Sequence, residues 1–361
     1  KKEELQKMNN DLLNMLKEIT EAPGVSGYEK GIREVLKRYL SQVATLEEDR
    51  LGSLIFKKEG SNQRPKIMLA AHMDEIGFMV KSITSNGYIK FIPLGGWWDQ
   101  VLLSQRVVIH TQNGPVIGVI GSKPPHILSE EERKKVVEKK DMYIDIGASS
   151  EEEALKWGVR PGDPITPYSE FQVMHNPDLL LAKAWDDRVG CALLVEIIKE
   201  LINENHPNTI YGVATVQEEV GLRGATTSSF VVNPDVAIIL ESDIATDMPG
   251  INEEKKIYLG KGPSLIIYDA TMIPNSNLRR IFIDIAEKLN IPIQYSALER
   301  GGTDGGRIHI HAKGVPSIVI GVPARYIHSH TSIINIQDFL NAKKLIIEVI
   351  KNLNEEIVEK L

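Results

Sequence analysis

Six ionisable side chains each follow a short apolar run that is typical of a buried β-strand. They are two histidines and four carboxylates: His72, Asp186, Glu218, Glu219, Glu241 and His328. Because open α/β sheets carry their active sites at the carboxyl ends of the strands, we expect these side chains to converge from distant segments. Histidines with several carboxylates are the ligand set of a hydrolase with two metal ions. The pattern therefore predicts an enzyme with a metal centre.

His72 and Asp74 lie two residues apart, where the apolar run that begins at Lys66 ends. If the extended geometry persists, both side chains point to the same side of the strand. A carboxylate in that position can accept the free imidazole N–H and fix the tautomer of a histidine that binds metal. The pair alone is not specific, so its interpretation depends on the other segments.

Asp186 and Asp187 follow an apolar run at Leu179–Ala182 and precede a helical pattern. A helix N-terminus favours anions, so the pair can serve a metal site or can simply cap the helix. Glu218 and Glu219 are adjacent and cannot point the same way, which suits one metal ligand and one general base. A solvated surface is the alternative for two consecutive glutamates, but the strand before them and Gly221 after them argue against it.

Glu241 directly follows the apolar run Val236–Leu240, and Asp243 lies two residues later. Either carboxylate can be a metal ligand, and Glu241 is closer to the predicted strand. His328 follows an apolar segment in the same way near the end of the chain.

Hydrophobic periodicity predicts helices over residues 3–20 and 28–42, and strands and helices alternate again after Leu179. Between them, glycine, proline and the hairpin signals Asn86-Gly87 and Asn113-Gly114 indicate an all-β insertion with one charged helical stretch near 129–140. The tail from Ile336 to Leu361 reads as one long amphipathic helix. We expect an α/β fold with a mainly parallel sheet, helices on both faces and a small inserted all-β domain. The predicted catalytic domain comprises residues 1–76 and 173–361, and the β-barrel-like insertion comprises residues 77–172.

Composition narrows the functional classes. A chain of 361 residues is expected to form about two domains. The formal net charge of −7 argues against nucleic acid as a partner. The single cysteine, Cys191, cannot form an internal disulfide, and no early apolar stretch resembles a signal peptide or a membrane span. We therefore expect a cytoplasmic protein with no membrane partner.

Five segments together resemble the successive motifs of the M42 family of metallo-aminopeptidases, which includes glutamyl and deblocking aminopeptidases and the TET peptidases. They occur in the family's order along most of the chain: Ala71–Gly77 (AHMDEIG), Lys183–Gly190 (KAWDDRVG), Thr215–Ala225 (TVQEEVGLRGA), Gly301–Asp304 (GGTD) and Arg325–Ser329 (RYIHS).

The resemblance implies two divalent metal ions per subunit, zinc or cobalt. It makes Asp186 the carboxylate that bridges them, with His72 and Glu241 completing one site and Glu219 and His328 the other. Glu218 becomes the general base, and Asp74 the carboxylate that orients His72. One position departs from the family, which usually has aspartate where Glu241 stands. Asp243 remains the alternative ligand.

The implied reaction is hydrolysis of the N-terminal residue from short peptides, with a water between the metals as nucleophile. The insertion resembles a dimerisation domain, so we expect a homo-oligomer between a dimer and a dodecamer. A glycoside hydrolase using Glu218 and Asp186 is a rival that would not need the histidines, so its activity would survive a chelator. A non-catalytic metal-binding protein would need the ligands without the base.

Overall fold

The computed structural model describes residues 2–251 and 257–361, with side chains from residue 10 onwards. Its helices are α1 (Lys2–Glu21), α2 (Lys30–Leu40), α3 (Glu130–Arg133), α4 (Glu151–Lys156), α5 (Trp185–Glu200), α6 (Arg223–Val232), α7 (Ser276–Leu289), α8 (Gly305–Ile308), α9 (Ile336–Asn352) and α10 (Glu355–Val358). Its strands are β1 (Thr45–Glu48), β2 (Leu54–Glu59), β3 (Lys66–His72), β4 (Gly77–Ile83), β5 (Ile89–Leu94), β6 (Arg106–Thr111), β7 (Gly114–Gly121), β8 (Tyr143–Asp145), β9 (Pro164–Pro167), β10 (Gln172–Val173), β11 (Leu179–Ala182), β12 (Thr209–Thr215), β13 (Val236–Ile244), β14 (Ser264–Asp269), β15 (Gln294–Leu298), β16 (Ser317–Arg325) and β17 (Ser332–Asn335).

Eleven strands form one large sheet in the order β1-β2-β12-β3-β13-β16-β17-β11-β10, with β14 paired to β15 and β16. The central strands β12, β3, β13 and β16 run parallel to one another. The strands at the two ends of this order pair antiparallel to their neighbours. The α/β fold is confirmed, and the parallel pairing is concentrated at the centre of the sheet.

Helices cover both faces of the central sheet. On β3 and β13, successive side chains enter opposite cores, as the two-residue period of a strand requires. Leu69 and Ile238 pack with the buried helix α5 on one face. Ala70 and Ile239 pack with α6 and α8 on the other face. Over the described residues, no helix combines the length and apolarity needed to cross a bilayer.

A closed six-stranded barrel, in the order β4-β5-β8-β7-β6-β9, lies between β3 and β10 in the chain and has its own apolar core. The two predicted hairpins are present, because β4 pairs with β5 around Asn86-Gly87 and β6 pairs with β7 around Asn113-Gly114. The last barrel strand ends at Pro167, and Gln172 already pairs with Leu181 in the large sheet.

Two helix predictions were wrong in extent. The charged stretch near 129–140 forms one turn, α3, with a Ser129–Glu132 capping box, because its side chains are largely exposed and present no apolar face for packing. The C-terminal helix ends at Asn352 rather than continuing to Leu361. The Asn208 side-chain amide donates to the carbonyl oxygens of Ile350 and Leu353, and Asn354 caps the separate helix α10. The bonds from Asn208 come from a distant part of the chain, which periodicity does not record.

Candidate active site and metal centre

The six predicted side chains meet at the carboxyl ends of the central strands. β3 ends at His72, and its register places His72 beside Thr215, the last residue of β12. Glu218 and Glu219 lie in the loop after β12, and Glu241 lies within β13. The remaining two, Asp186 and His328, come from the start of α5 and the loop after β16.

Three overlapping groups each bring one ligand atom per residue to within 4.8 Å of the others. They are His72 with Asp186 and Glu241, His72 with Glu218 and Glu219, and Asp186 with Glu219 and His328. Two of these groups share Asp186. Among the described residues, Asp243 belongs to none of them.

Asp186 directs its two oxygens to two different histidines. Its Oδ1 lies 3.1 Å from His72 Nε2, and its Oδ2 lies 3.1 Å from His328 Nε2. On the first side, His72 Nε2 is also 3.7 Å from Glu241 Oε1. On the second side, His328 Nε2 is 3.5 Å from Glu219 Oε1. The arrangement therefore has two halves joined by one carboxylate.

Both imidazoles turn Nε2 towards the carboxylates of the site and bind a backbone carbonyl through Nδ1. His72 Nδ1–H donates to the backbone carbonyl oxygen of Asp74 at 2.9 Å, and His328 Nδ1–H donates to that of Gly96 at 2.7 Å. A hydrogen bond at one ring nitrogen fixes the tautomer and makes the other nitrogen the ligand atom. Gly96 lies just after barrel strand β5, so the barrel takes part in orienting His328.

The electrostatics favour bound cations. Burial raises the pKa of Glu218 and Glu241 well above the ordinary value, and burial with the Asp186 charge raises the pKa of Glu219 to about 8. Burial alone lowers the pKa of His328, but its contact with Asp186 and the Glu219 charge raise it to about 10. The buried Glu219 Oε1 has no hydrogen-bond donor among the described groups. Crowded carboxylates and Nε2 atoms form a donor set that suits zinc or cobalt.

Asp74 has more contacts than orienting His72 would require. Its Oδ1 is 3.5 Å from His72 Nδ1, farther than the backbone carbonyl that accepts from that nitrogen. The carboxylate accepts the backbone N–H of Glu218 at 2.9 Å and of Glu219 at 3.1 Å, and the Ser26 hydroxyl at 2.7 Å. Asp74 is therefore also an anchor for the loop after β12. Ser26 was not predicted, and no local pattern in the sequence indicates its contact with Asp74.

The two aspartates of the pair have different surroundings. Asp186 faces His72 and His328, whereas Asp187 is turned behind the site. Its carboxylate accepts the backbone N–H of His72 at 3.1 Å and that of Gly190 at 3.0 Å, and the second bond is a cap at the start of the regular part of α5. Glu218 and Glu219 have buried side chains, so the surface interpretation of this pair was wrong.

Glu241 and Asp243 occupy different surroundings on β13. Glu241 Oε1 faces His72, as described above, and accepts its nearest hydrogen bond from the Ser242 N–H. Asp243 is committed elsewhere, because Ser264 Oγ donates to its Oδ2 at 2.5 Å and Ser296 Oγ donates to its Oδ1 at 3.1 Å.

The site opens into a cavity of about 660 Å³. The cavity is lined by all six predicted site residues: His72, Asp186, Glu218, Glu219, Glu241 and His328. The remaining wall includes the apolar residues Leu222, Ile244, Met248 and Leu298, together with Gly301 and Gly302. Gly95 and Gly96 were not predicted as site residues, although a glycine pair just after a strand can indicate close backbone approach. A β-carbon on Gly95 would lie 3.3 Å from Glu219 Cβ.

Comparison with known proteins identifies a family over most of the chain. The family described as M42 glutamyl aminopeptidase matches residues 52–345. The glutamyl aminopeptidase of Lactococcus lactis is 36% identical over 355 residues, which cover 97% of this chain and 99% of that protein.

Solved structures of TET peptidases have the same fold as this chain. The TET aminopeptidase of the marine sediment archaeon Thaumarchaeota archaeon SCGC AB-539-E09 superimposes with a TM-score of 0.95 at 50% identity and covers 98% of this chain and 99% of its own. The TET1 peptidase of Pyrococcus horikoshii superimposes with a TM-score of 0.86 at 35% identity, covering 95% of this chain and all of its own. That peptidase can assemble into a tetrahedron or a large octahedral shell.

Proposed function

Because the chain belongs to the M42 glutamyl aminopeptidase family and is a peptidase, we propose that it removes single N-terminal residues from short peptides by two-metal hydrolysis. One observation carries the proposal: Asp186 presents one oxygen to each of two histidines at 3.1 Å. A carboxylate in that position can bridge two divalent cations.

Each half of the arrangement offers one cation a set of three protein ligands. Asp186 would be shared, His72 and Glu241 would hold one cation, and Glu219 and His328 would hold the other. The position of Glu241 Oε1 opposite His72 Nε2 and the two serine bonds to Asp243 favour Glu241 over Asp243 as the ligand. When bound, zinc or cobalt ions would lower the pKa of a water molecule and polarise the scissile carbonyl.

Glu218 is the general base in this proposal. Its Oε2 lies 3.8 Å from His72 Nε2, and its N–H is held by Asp74, so the side chain is fixed beside the ligands without being needed as one. Burial raises its pKa, which nearby cations oppose, and a carboxylate poised between these influences can exchange protons near neutral pH. Glu218 accepts a proton as the water oxygen bonds to the carbonyl carbon. It then delivers that proton to the amine when the C–N bond breaks.

Glu218→Gln tests the assignment. We expect this variant to bind both metals as the parent does and to lose at least about 10²-fold in kcat, because the amide cannot accept the proton. Metal content is measured by elemental analysis, and activity on a panel of aminoacyl fluorogenic substrates with and without a chelator. Glu152→Gln, on the exposed helix α4, is the matched control.

Three results would contradict the proposal. Full activity of Glu218→Gln would show that Glu218 is not the general base. Loss of metal in that variant would show that Glu218 is a metal ligand. Activity of the parent on the aminoacyl substrates that survives complete metal removal excludes metal-dependent hydrolysis.

We further propose that residues 77–172 form a dimerisation domain inserted between the catalytic segments 1–76 and 173–361. The closed barrel and its separate apolar core support this division. The large assemblies of the TET1 peptidase of Pyrococcus horikoshii support a homo-oligomer with closed symmetry for this chain.

A further inference from the structure

The loop before α2 contacts the loop that carries Glu218 and Glu219. Glu29, the residue that immediately precedes α2, is only 5% exposed. Its side chain makes no capping hydrogen bond to its own helix. Instead, Glu29 Oε1 accepts the backbone N–H of Gly27 at 2.9 Å and that of Gln217 at 3.0 Å. The carboxylate therefore joins two loops that are 188 positions apart in the chain.

Glu29 and Asp74 together bind three successive backbone N–H groups. Glu29 accepts from Gln217, and Asp74 accepts from Glu218 and Glu219. Gln217 has φ 55°, in the left-handed region that costs a residue with a side chain about 1 kcal/mol or more. The hydrogen bond from the Gln217 N–H to Glu29 therefore stabilises a residue with an unfavourable backbone conformation. That residue directly precedes Glu218.

The surroundings of Glu29 exclude an ordinary ion pair. No described lysine or arginine lies within ion-pair distance of its carboxylate. Burial and the charge of Asp74 raise the pKa of Glu29 to about 7, and the N–H groups of Gly27 and Gln217 oppose this. A carboxylate buried without a cation is unfavourable unless its hydrogen bonds compensate. Its bonds are those to the two loops.

We propose that Glu29 is a positioning residue for hydrolysis: it fixes the backbone of Gln217 and thereby the orientation of Glu218. This inference rests on the proposed function, because it needs Glu218 to be the general base. Glu29 does not line the cavity of the active site and belongs to none of the three groups of candidate metal ligands. Its effect therefore passes through the protein backbone.

Three substitutions at Glu29 separate its hydrogen bonds from its charge. Glu29→Gln keeps an acceptor oxygen at the same reach, whereas Glu29→Ala removes it and Glu29→Asp withdraws it by one methylene. We expect Glu29→Ala and Glu29→Asp to lower kcat about 10- to 100-fold with KM within about 3-fold and metal content unchanged, because a displacement near 1 Å can cost that much. Glu29→Gln is expected to stay within about 3-fold of the parent.

Glu34→Ala is the control, since Glu34 lies on α2 and its side chain is 64% exposed. Rates are measured well below the melting temperature of each variant, so that loss of folded enzyme does not enter kcat. If Glu29→Ala does not fold, Glu29→Asp and Glu29→Gln decide the matter. Parent-like kcat in both Glu29→Ala and Glu29→Asp overturns the proposal, as does a loss confined to KM or to metal content. An equal loss of kcat in Glu29→Gln also overturns it.

The double variant tests whether Glu29 acts through Glu218. In a Glu218→Gln background, Glu29→Ala should reduce the residual rate by less than about 2-fold, because the group that it positions is gone. A full additional loss overturns the inference. The two proposals fail differently: active Glu218→Gln enzyme contradicts the proposed function, whereas inactive Glu218→Gln with fully active Glu29→Ala contradicts only the role of Glu29.

Discussion

Asp187 shows how closely the site is packed at the scale of single residues. Its carboxylate is fully buried between the backbone of His72 and the first regular turn of α5. Burial and the neighbouring Asp186 raise its pKa well above the ordinary value, although the charge of His72 opposes this. The carboxylate fits only because the residue at position 190 has no side chain. A β-carbon on Gly190 would lie 2.4 Å from Asp187 Oδ2 and 2.5 Å from the carbonyl oxygen of Leu240.

We therefore predict that Gly190→Ala destabilises the protein by about 1–3 kcal/mol, the usual effect of overpacking a rigid core. Urea unfolding measures the change in the free energy of unfolding. Gly121→Ala is the matched control in the barrel, because its nearest contact is Tyr143 Cε2 at 3.3 Å, the edge of a side chain that can move. Equal stability of Gly190→Ala and the parent would show that the Asp187 contacts are not rigid.

The sequence was sufficient to find the side chains at strand ends but not the bonds behind them. His72, Glu218 and Glu241 follow apolar runs, and the parallel register brings such positions to one edge. The hydrogen bonds from the Glu218 and Glu219 N–H groups to Asp74 depend on the conformation of the loop after β12. Glu29 is 188 positions away from its partner Gln217, so no local spacing could connect them.

At the scale of elements, buried cations join the end of α1, the end of β3 and the start of α5. Arg188 is fully buried and donates to the carbonyl oxygens of Ile19, Ala22 and Met73 at 2.6 to 2.7 Å. Lys183 Nζ donates to both oxygens of the buried Glu75 at 2.7 and 2.6 Å. Burial lowers the pKa of Lys183, and the Glu75 charge opposes that effect. These groups hold the segment from His72 to Glu75 against α5.

Lys183→Met is expected to lower the free energy of unfolding by about 3–5 kcal/mol, because Glu75 then loses its main partner inside the protein. Adding Glu75→Gln to the same chain should recover much of the loss. Lys360→Met is the control, since Lys360 and Glu356 form an exposed pair and its removal should leave stability unchanged. Chemical denaturation of the four proteins decides. An unaltered midpoint and slope for Lys183→Met would contradict the importance of the pair.

Element boundaries illustrate the same limit of sequence reasoning. Strong periodicity predicted α1 closely, because its apolar residues repeat at helical spacing. The break after Asn352 was missed because it depends on Asn208. This residue directly precedes β12, and its side chain donates to the Ile350 and Leu353 carbonyl oxygens. Tertiary contacts of this kind override a continuous amphipathic pattern.

At the scale of the whole molecule, the barrel presents apolar side chains to solvent. On β7, Ile117 and Val119 are 53% and 38% exposed, whereas Gly118 and Ile120 between and beyond them are buried. Trp98, after β5, is 62% exposed. Ile117 and Val119 are two residues apart on the same face of β7, so they form a continuous apolar surface that suits a protein interface.

We predict that the parent protein has the mass of a closed homo-oligomer and that the combined substitution Ile117→Asp with Val119→Asp reduces that mass. Carboxylates on this strand would have to lose water without gaining a partner in the interface. Multi-angle light scattering after size exclusion measures the mass, and Gln112→Asp in the adjacent exposed hairpin is the control. A parent that elutes as a monomer would contradict the proposed assembly, and an unchanged mass in the double variant would exclude β7 from the interface.

The hydrogen bond from His328 to Gly96 makes the two halves of the centre unequal. The His72 side chain is 2% exposed and its Nδ1 binds the carbonyl oxygen of Asp74, whereas the His328 side chain is 36% exposed and its Nδ1 binds Gly96 in a loop of the barrel. A cation held by His328 and Glu219 would accordingly have the shorter residence time and would exchange first with ions in solution.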